Sequence, residues 1–454
     1  MKRLTGPLLL ALACAACHDA PASPPPAARS PRTPSARPAT ARPVARADAA
    51  VAAPVAPAAD LRAWPFVEHA RRFCLPDVLA RTDYLVKWAP LFHGTLGPGD
   101  PAPRVRRVVP SATGANPPTA EDQQRLVAWQ TAPRTSHVMD CTLPVADASR
   151  DDHPLRTTTY AVYLPADYLD HPTRPRPVLM LVSGGNGNRT RWFLTPTSDR
   201  GTIPGTGGLV VRNRVDAWSA AHPDAAPPIV IGLDGSSSQF PNGMSTFIAR
   251  ELPEHVLATY LPGHARGEIA FGVESISSGA VEVARALRVD AHAFNTVGFL
   301  CPYTHPNGVH LPSTFGPAAH RDAMFRSLGE QHRAGTFAMR FSVGDMDDHY
   351  PRTWALYRRL ADAGLFPQPG AATLERCTHA DWRPSPGHCW QVWPGFHLLP
   401  GEFHNYHALL PSFGPQFEWE LEALAAIQSR LDAHPTPPAP AATSPDAGVA
   451  ADAR

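Results

Sequence analysis

The sequence predicts an α/β fold, a three-layer sandwich in which helices cover both faces of a mostly parallel central sheet. Residues 177–182 (PVLMLV) and 228–233 (PIVIGL) are short, continuous apolar runs, which are typical of strands buried on both faces. Amphipathic patterns such as 350–363 lie between predicted strands, and alternating strands and helices favour parallel pairing. The 454 residues suffice for one large domain with appendages or for two ordinary domains.

The other elements are read from periodicity in chain order. Residues 61–81 and 120–128 are predicted helices, separated by an irregular Gly- and Pro-rich stretch. In residues 157–165, apolar side chains alternate along one face, as in a half-buried antiparallel strand. Residues 245–260 form an amphipathic helix. The remaining predicted strands are 268–273, 294–300, 336–343 and 389–393.

The N-terminus predicts export. Residues 1–17 have a basic start, a short apolar run and small residues before a cysteine, which is the pattern of a signal peptide and too short to span a bilayer. The cysteine resembles that of a bacterial lipobox, so we expect lipidation at Cys17, with Cys14 or plain secretion as alternatives. The protein would then be an envelope lipoprotein, periplasmic or on the cell surface, or a secreted one. It would touch the membrane only through its lipid anchor.

Composition divides the rest of the chain. Residues 18–60 and 433–454 are rich in Pro and Ala and too poor in apolar groups to form a core, so they are predicted to be a disordered tether and tail. Between them we expect an N-terminal extension or small cap at 61–155 and the main domain at 156–432. Lys and Arg (41) nearly balance Asp and Glu (40), so the net charge gives no indication of a nucleic-acid partner.

Five cysteines remain after the signal peptide, and an odd number in an exported chain leaves one thiol unpaired. Cys301 follows a predicted buried strand and is the candidate free thiol. Cys377 and Cys389 flank a short loop and are the first predicted disulfide. The second predicted pair is Cys74 with Cys141.

The stretch 267–294 carries the main indication of chemistry. It predicts a buried strand, a turn of small residues and a helix that begins at Ala280, which is the local geometry of a nucleophile elbow. Ser277 fits the nucleophile position, because Ser275 two residues before it and Gly279 two residues after it are small. Two alternatives stay open: Ser275 could be the nucleophile, or Glu274 could occupy the position if the turn begins at Gly272.

Several motifs make the chain resemble the esterase family of the α/β-hydrolase fold, which includes esterase D, feruloyl and acetylxylan esterases, siderophore esterases and mycolyltransferases. The motifs are VYLP at 162–165, LVSGGN at 181–186, GLDG at 232–235 and ELP at 251–253, and the resemblance covers residues 157–431. The spacing from Ser277 to Phe294 also resembles the family pattern. Two positions depart from that pattern: Ser183 stands where the family has His, and Ser275 replaces the first elbow glycine.

The fold orders its catalytic residues as Ser, then Asp or Glu, then His. The family pattern after the strand at 336–343 falls on Asp347, with Asp348 as the alternative. The late glycine-led turn resembles the family's base position at His404, whereas His397 is a rival and His407 a candidate for lining the pocket. A solvated acidic loop or a helix cap would be an ordinary role for the aspartates.

The same resemblance implies the rest of the site. Backbone N–H groups of Gly185 or Asn186 and of Ser278 would form the oxyanion hole. Aromatic residues Trp192, Phe193 and Tyr406 would line a substrate groove, or would simply pack in the core. The histidines at 305, 310 and 320 have no recognised ligand spacing, so neither a catalytic metal nor another cofactor is predicted.

Together these observations predict a serine carboxylic-ester hydrolase that acts through an acyl-enzyme on a carbohydrate or other extracellular ester. The partner would be a small-molecule or carbohydrate ester substrate. Two alternatives remain open: a binding or envelope protein that kept the fold without the chemistry, and an acyltransferase that passes the acyl group to a sugar hydroxyl.

Overall fold

The structure is a computed structural model of the chain. It describes residues 64–76, 120–131, 135–144, 157–184, 189–193, 211–233, 244–303, 315–345, 347–375, 389–399 and 406–434. The predicted signal peptide and tether lie outside these residues, as does the predicted C-terminal tail from residue 435 onward. Within the part of the chain that is described, none of the helices combines the length and the apolar character needed to cross a bilayer.

The core of the fold is one sheet of eleven strands in the order β1-β2-β3-β5-β4-β6-β7-β8-β11-β10-β9. The strands are β1 (Cys74–Leu75), β2 (His137–Pro144), β3 (Thr157–Leu164), β4 (Val178–Val182), β5 (Ile229–Leu233), β6 (Phe271–Ile276), β7 (Thr296–Leu300), β8 (Ala338–Gly344), β9 (Thr373–Glu375), β10 (Trp390–Trp393) and β11 (Phe396–Leu399). The central six, β5-β4-β6-β7-β8-β11, are parallel, and antiparallel strands flank them on both sides. The predicted α/β-hydrolase-like three-layer architecture is therefore confirmed.

Helices cover both faces of this sheet. They are α1 (Pro65–Phe73), α2 (Ala120–Thr131), α3 (Val211–Ala221), α4 (Leu252–Tyr260), α5 (Gly279–Val289), α6 (Ala318–Arg333), α7 (Tyr350–Asp362) and α8 (Tyr406–Ala433). A short helix (Met244–Thr246) and a π turn (Phe247–Glu251) lead into α4. Side chains of α3 and α8 form the apolar layer on one face, and those of the other helices form the layer on the opposite face.

The described residues of the N-terminal stretch contribute two strands to the main sheet. β2 pairs with β3 along its whole length, and β1 adds a short edge strand to β2. Cys74 and Cys141 lie directly opposite each other and form a disulfide, as predicted. Because Cys74 already pairs as a strand, α1 ends at Phe73, and the prediction of a helix through residue 81 was too long.

A buried hydrogen-bonded cluster fastens α1 and α4 to the sheet. The Tyr160 hydroxyl lies 2.9 Å from ring nitrogens of His69 and His255 and from the Tyr260 hydroxyl. Burial lowers the pKa of His69 to about 3, with the nearby His255 adding to the effect, and burial also lowers the pKa of His255 to about 4. Both rings are therefore neutral at physiological pH, so the cluster holds the layers together without a buried charge.

Most predicted strands and helices are confirmed within two or three residues of their ends. The exception that bears on function is the strand before the elbow, which runs from Phe271 to Ile276 instead of 268–273. The turn is consequently shorter than predicted, because only Ser277 and Ser278 separate β6 from α5. Cys301 is a buried thiol that takes no part in a disulfide, as predicted. Cys389 is disulfide-bonded, and because its predicted partner Cys377 lies outside the described residues, that pairing stays a prediction.

Candidate active site

Ser277 lies at the apex of the turn between β6 and α5. Its φ is 54°, in the left-handed region that non-glycine residues rarely occupy. Its backbone is fixed on both sides, because its N–H donates to the Leu300 carbonyl (3.1 Å) and its carbonyl accepts from the Tyr303 N–H (2.9 Å). A strained serine held between a buried strand and a helix N-terminus has the local geometry of a nucleophile elbow.

The two alternative positions for the nucleophile do not lie at the apex. Ser275 is inside β6, fully buried, and its hydroxyl donates to the Gly298 carbonyl at 3.1 Å. Glu274 is also inside β6, and its carboxylate accepts from the Gln416 amide of α8 at 3.0 Å. Both side chains are enclosed by the sheet and its covering helices, so neither is placed to attack a ligand at the sheet edge.

The turn after β4 packs directly against the elbow. A Cβ built on Gly184 would lie 2.6 Å from the Ile276 carbonyl oxygen and 2.6 Å from the Ser277 Cβ. A Cβ on Gly279 would lie 2.6 Å from the Val182 carbonyl oxygen. Both positions therefore require glycine, because real Cβ atoms do not approach other atoms so closely. This close packing brings the β4 turn beside Ser277, where the fold places an oxyanion hole.

Of the predicted oxyanion donors, only Ser278 lies among the described residues. Ser278 is the N-cap residue of α5, directly after the apex, which is the position that supplies one oxyanion N–H in this fold. Gly185 and Asn186 follow Gly184 and lie outside the described residues. Their assignment stays a prediction, although the described start of their turn already touches the elbow.

Asp347 lies just beyond the C-terminal end of β8, at the same sheet edge as Ser277. Its carboxylate is 2 % exposed and accepts from the His349 backbone N–H at 2.8 Å, whereas the alternative Asp348 is exposed. The Tyr303 ring contacts the His349 ring with centroids 4.5 Å apart. Because the Tyr303 N–H also binds the Ser277 carbonyl, this residue joins the elbow to the loop of Asp347.

Tyr303 and His349 are two residues near the elbow that no sequence pattern singles out. Neither belongs to a spacing motif, and their proximity depends on the pairing of β7 with β6 and β8. Their positions just after a strand end, in a polar loop, were the only indication available. The adjacent ends of parallel strands bring such residues together.

The predicted base, His404, lies outside the described residues, between the end of β11 at Leu399 and the start of α8 at Tyr406. The rival His397 is within β11, 8 % exposed, and 2.6 Å from the Arg340 guanidinium. It lies two residues before the end of its strand, so it is set back from the edge that holds Asp347. His407 and the predicted groove residue Tyr406 begin α8, and the structure describes only their backbone.

Trp192 and Phe193 are core residues, and their predicted role in lining a substrate groove is not supported. They are 1 % and 2 % exposed. The Trp192 ring contacts Phe413 of α8, and both rings pack so closely over β5 that a Cβ on Gly232 would meet them. The sequence places these two aromatic residues after the end of a strand, but it does not show that their side chains pack into the core.

A pair of buried carboxyl groups, Glu274 and Glu420, lies beneath the elbow on the α8 side of the sheet. Both are 0 % exposed, and the Glu420 carboxylate accepts from the Thr296 hydroxyl. Burial raises the pKa of Glu274 to about 8, although the bond from Gln416 and the charge of Arg340 oppose the shift. Burial and the neighbouring Glu274 also raise the pKa of Glu420. At neutral pH the two carboxyl groups therefore tend to stay protonated in the folded protein.

One group of potential metal ligands comes together among the described residues. His69, Cys74 and Cys141 offer ligand atoms within 4.8 Å of one another, but both sulfurs are engaged in the disulfide. The group lies at the β1 edge of the sheet, four strands from β6 in the strand order β1-β2-β3-β5-β4-β6. It is not part of the site around Ser277.

Comparisons with known proteins find similar solved structures but no matching sequence. No family model and no curated protein sequence matches the chain. A ferulic acid esterase structure is similar at 16% identity and a TM-score of 0.42, covering 64% of this chain and 99% of its own. An S-formylglutathione hydrolase from Staphylococcus aureus is similar at 14% identity and 0.38, covering 64% and 99%. A feruloyl esterase module from Clostridium thermocellum is similar at 15% identity and 0.39, covering 65% and 92%. At these identities the likeness concerns the fold.

Proposed function

We propose that this protein is a serine carboxylic-ester hydrolase with Ser277 as nucleophile. The observation that carries the proposal is the left-handed backbone of Ser277 at the apex of a strand–turn–helix, with a φ of 54°. Keeping a non-glycine residue there costs about 1–3 kcal/mol, a strain that is typical of functional sites. The buried Asp347 at the same edge supplies the acid that such a nucleophile needs to orient its base.

In the proposed reaction the Ser277 Oγ adds to the ester carbonyl carbon while its proton passes to the His404 ring, which Asp347 orients. The N–H groups of Ser278 and of Gly185 or Asn186 stabilise the oxyanion. Collapse of the intermediate releases the alcohol, which takes the proton from His404. Water then adds to the acyl-enzyme by the same route, releasing the carboxylic acid and restoring the Ser277 hydroxyl. No metal or other cofactor enters these steps.

The proposed substrate is an ester of a carbohydrate or of another extracellular compound. The choice of a carbohydrate or other extracellular ester rests on the family resemblance of the motifs and on the predicted export. An acyltransferase would use the same acyl-enzyme and differ only in its acceptor. Hydrolysis measured with and without an added sugar separates the two, because transfer forms a sugar ester at the expense of the free acid.

Kinetics with a simple aryl ester such as 4-nitrophenyl acetate test the proposal. We expect Ser277→Ala and His404→Ala each to lower kcat/KM by about 10³-fold or more, and the double variant to be little worse, since the residues act as a unit. Ser275→Ala is the matched control and should keep most activity. Turnover by Ser277→Ala at the parent rate would contradict the proposal, and absence of turnover by the parent on a range of esters would favour a binding protein.

We also propose that the mature protein is a lipoprotein that begins at Cys17. The proposal rests on the basic, apolar and small-residue pattern that precedes this cysteine. Metabolic labelling with an alkyne-tagged fatty acid should mark the parent but not Cys17→Ala. If labelling is lost in Cys14→Ala instead, the anchor is at Cys14, and if neither substitution reduces labelling, the proposal is wrong.

A further inference from the structure

A cavity of about 500 Å³ opens at the sheet edge opposite Ser277. Tyr163, one of its lining residues, pairs with Val230 near the start of β5, whereas Ser277 follows the end of the parallel strand β6. The cavity is therefore separate from the candidate active site. Its volume falls within the range of small-molecule sites, about 300–1,000 Å³.

The floor of the cavity is a fixed polar network centred on Asp216 of α3. One carboxylate oxygen accepts from the Tyr163 hydroxyl and the other from the Ser136 hydroxyl, both at 2.7 Å. The Ser136 oxygen accepts in turn from Nε of Arg212 at 3.0 Å. Burial and the Asp216 carboxylate raise the pKa of Tyr163, so this phenol remains a donor. These polar atoms are thus oriented before any ligand enters, which lowers the entropy cost of binding.

The hydrogen-bond donors and acceptors that this network leaves unused define the ligand. The Nε of Arg212 binds Ser136, so the two terminal nitrogens of this cavity-lining guanidinium are left as further donors. Arg174 also lines the cavity and holds Asp167 through a single Nη1 contact at 3.4 Å. Carboxylate oxygens have more than one lone pair, so Asp216 can still accept a hydrogen bond. A ligand therefore meets paired donors and acceptors side by side, as vicinal hydroxyl groups require.

Charge and shape exclude other ligand classes. Two arginines and two aspartates line the cavity, and each is already paired with the opposite charge, so an anion or a cation gains no uncompensated partner. Among the described lining residues the one aromatic side chain is Tyr163, which is 1 % exposed and so offers no face to a flat ring. Prolines and alanines, including Pro165, Pro223 and Pro227, supply most of the remaining described wall, with Thr135 and Ser219 beside them, and this largely apolar wall suits the C–H face of a saturated ring.

We propose that this cavity is a non-catalytic binding site for an uncharged pyranose unit of an oligosaccharide. Sugar binding at this cavity does not depend on the proposed function. Only the role suggested for it, which is to hold a polymer that carries the ester, rests on that function. Strand β5 alone spans about 16 Å at 3.3 Å per residue, so a ligand that reaches both edges must contain several sugar units.

Affinity electrophoresis of the full chain through gels with soluble arabinoxylan, mixed-linkage β-glucan, glucomannan or amylose tests the site. We expect at least one of them to retard the parent. Ala220→Trp should fill the cavity and weaken retardation at least tenfold, because Ala220 is an exposed wall residue of α3. Ala217→Trp is the matched control, since it is exposed on the same helix but outside the cavity. Arg212→Gln tests the same site without added bulk and should also weaken binding.

The proposal is overturned if none of the four polysaccharides retards the parent, or if both Ala220→Trp and Arg212→Gln migrate like the parent. Ser277→Ala should be retarded as strongly as the parent, because binding needs no turnover. Retardation without ester hydrolysis would therefore refute only the proposed function. Ester hydrolysis without retardation would refute only this site.

Discussion

Replacing Glu274 by Gln should make the protein more stable at alkaline pH, although the replaced residue is buried and hydrogen-bonded. Glutamine keeps the size of the protonated acid, and its carbonyl can accept the bond from Gln416. The charged and polar groups facing Glu274 are Gln416 and Glu420 of α8, Thr296 of β7 and Arg340 of β8. The Gln416 bond, the Arg340 charge and the Ser275 backbone bond favour the ionised carboxylate, but burial outweighs them.

The direction of this pH effect on stability follows from proton linkage. The pKa of Glu274 rises from 4.5 to about 8 on folding, so between these values the folded protein holds a proton that the unfolded chain releases. Stability from this group is complete below pH 4.5, decreases as the pH rises toward 8, and is then lost. A shift of this size corresponds to a ceiling of about 5 kcal/mol, at 1.36 kcal/mol per pKa unit.

Urea unfolding followed by tryptophan fluorescence at pH 5, 6, 7, 8 and 9 measures the effect. The difference in unfolding free energy, Glu274→Gln minus parent, should grow steadily from pH 5 to pH 8 and level off at pH 9. Glu422→Gln, which replaces an exposed carboxylate of α8, is the control for the same carboxylate-to-amide change outside the buried pair. If the Glu274→Gln difference stays constant within about 0.5 kcal/mol from pH 5 to 9, the pKa of Glu274 is not raised by folding.

Three further predictions concern the elbow, the disulfide and the tether. Gly184→Ala should lower kcat on an aryl ester by about 10²-fold, because the new Cβ displaces the β4 turn from Ser277, whereas Gly370→Ala, with open space around it, should change nothing. Unfolding measurements should show that Cys74→Ser with Cys141→Ser costs up to about 4 kcal/mol, since the bond closes a loop of 67 residues, and an unchanged midpoint would argue against this. Deleting the first sixty residues should leave the cooperative thermal transition near the parent temperature, and its loss would show that they belong to the core.

The sequence predicts the parallel strands well because a strand covered on both faces must be apolar throughout. It predicts Ser277 for a similar reason, since only small residues fit where helix α5 and the β4 turn press on β6. Both features depend on local composition, so they can be read without the neighbouring chain segments.

What the sequence missed depends on partners distant in the chain. β11 has four residues and becomes a strand by pairing with β8, while β10 pairs with it on its other side. Trp192 and Phe193 read as groove residues because nothing in the sequence shows that α8 covers them. Glu274 read as a rival nucleophile, since its burial against Gln416 requires a helix 142 residues further along the chain.

Labelling with a fluorophosphonate probe followed by peptide mapping tests directly whether Ser277 is the nucleophile, because the probe reacts with an activated serine hydroxyl. We predict a single modified peptide in the parent, with the adduct on Ser277, and no adduct in Ser277→Ala. Ser275→Ala should be labelled like the parent. An adduct on Ser275, or on a serine outside the turn between β6 and α5, would contradict the account. Absence of any adduct in a folded parent protein would contradict it as well.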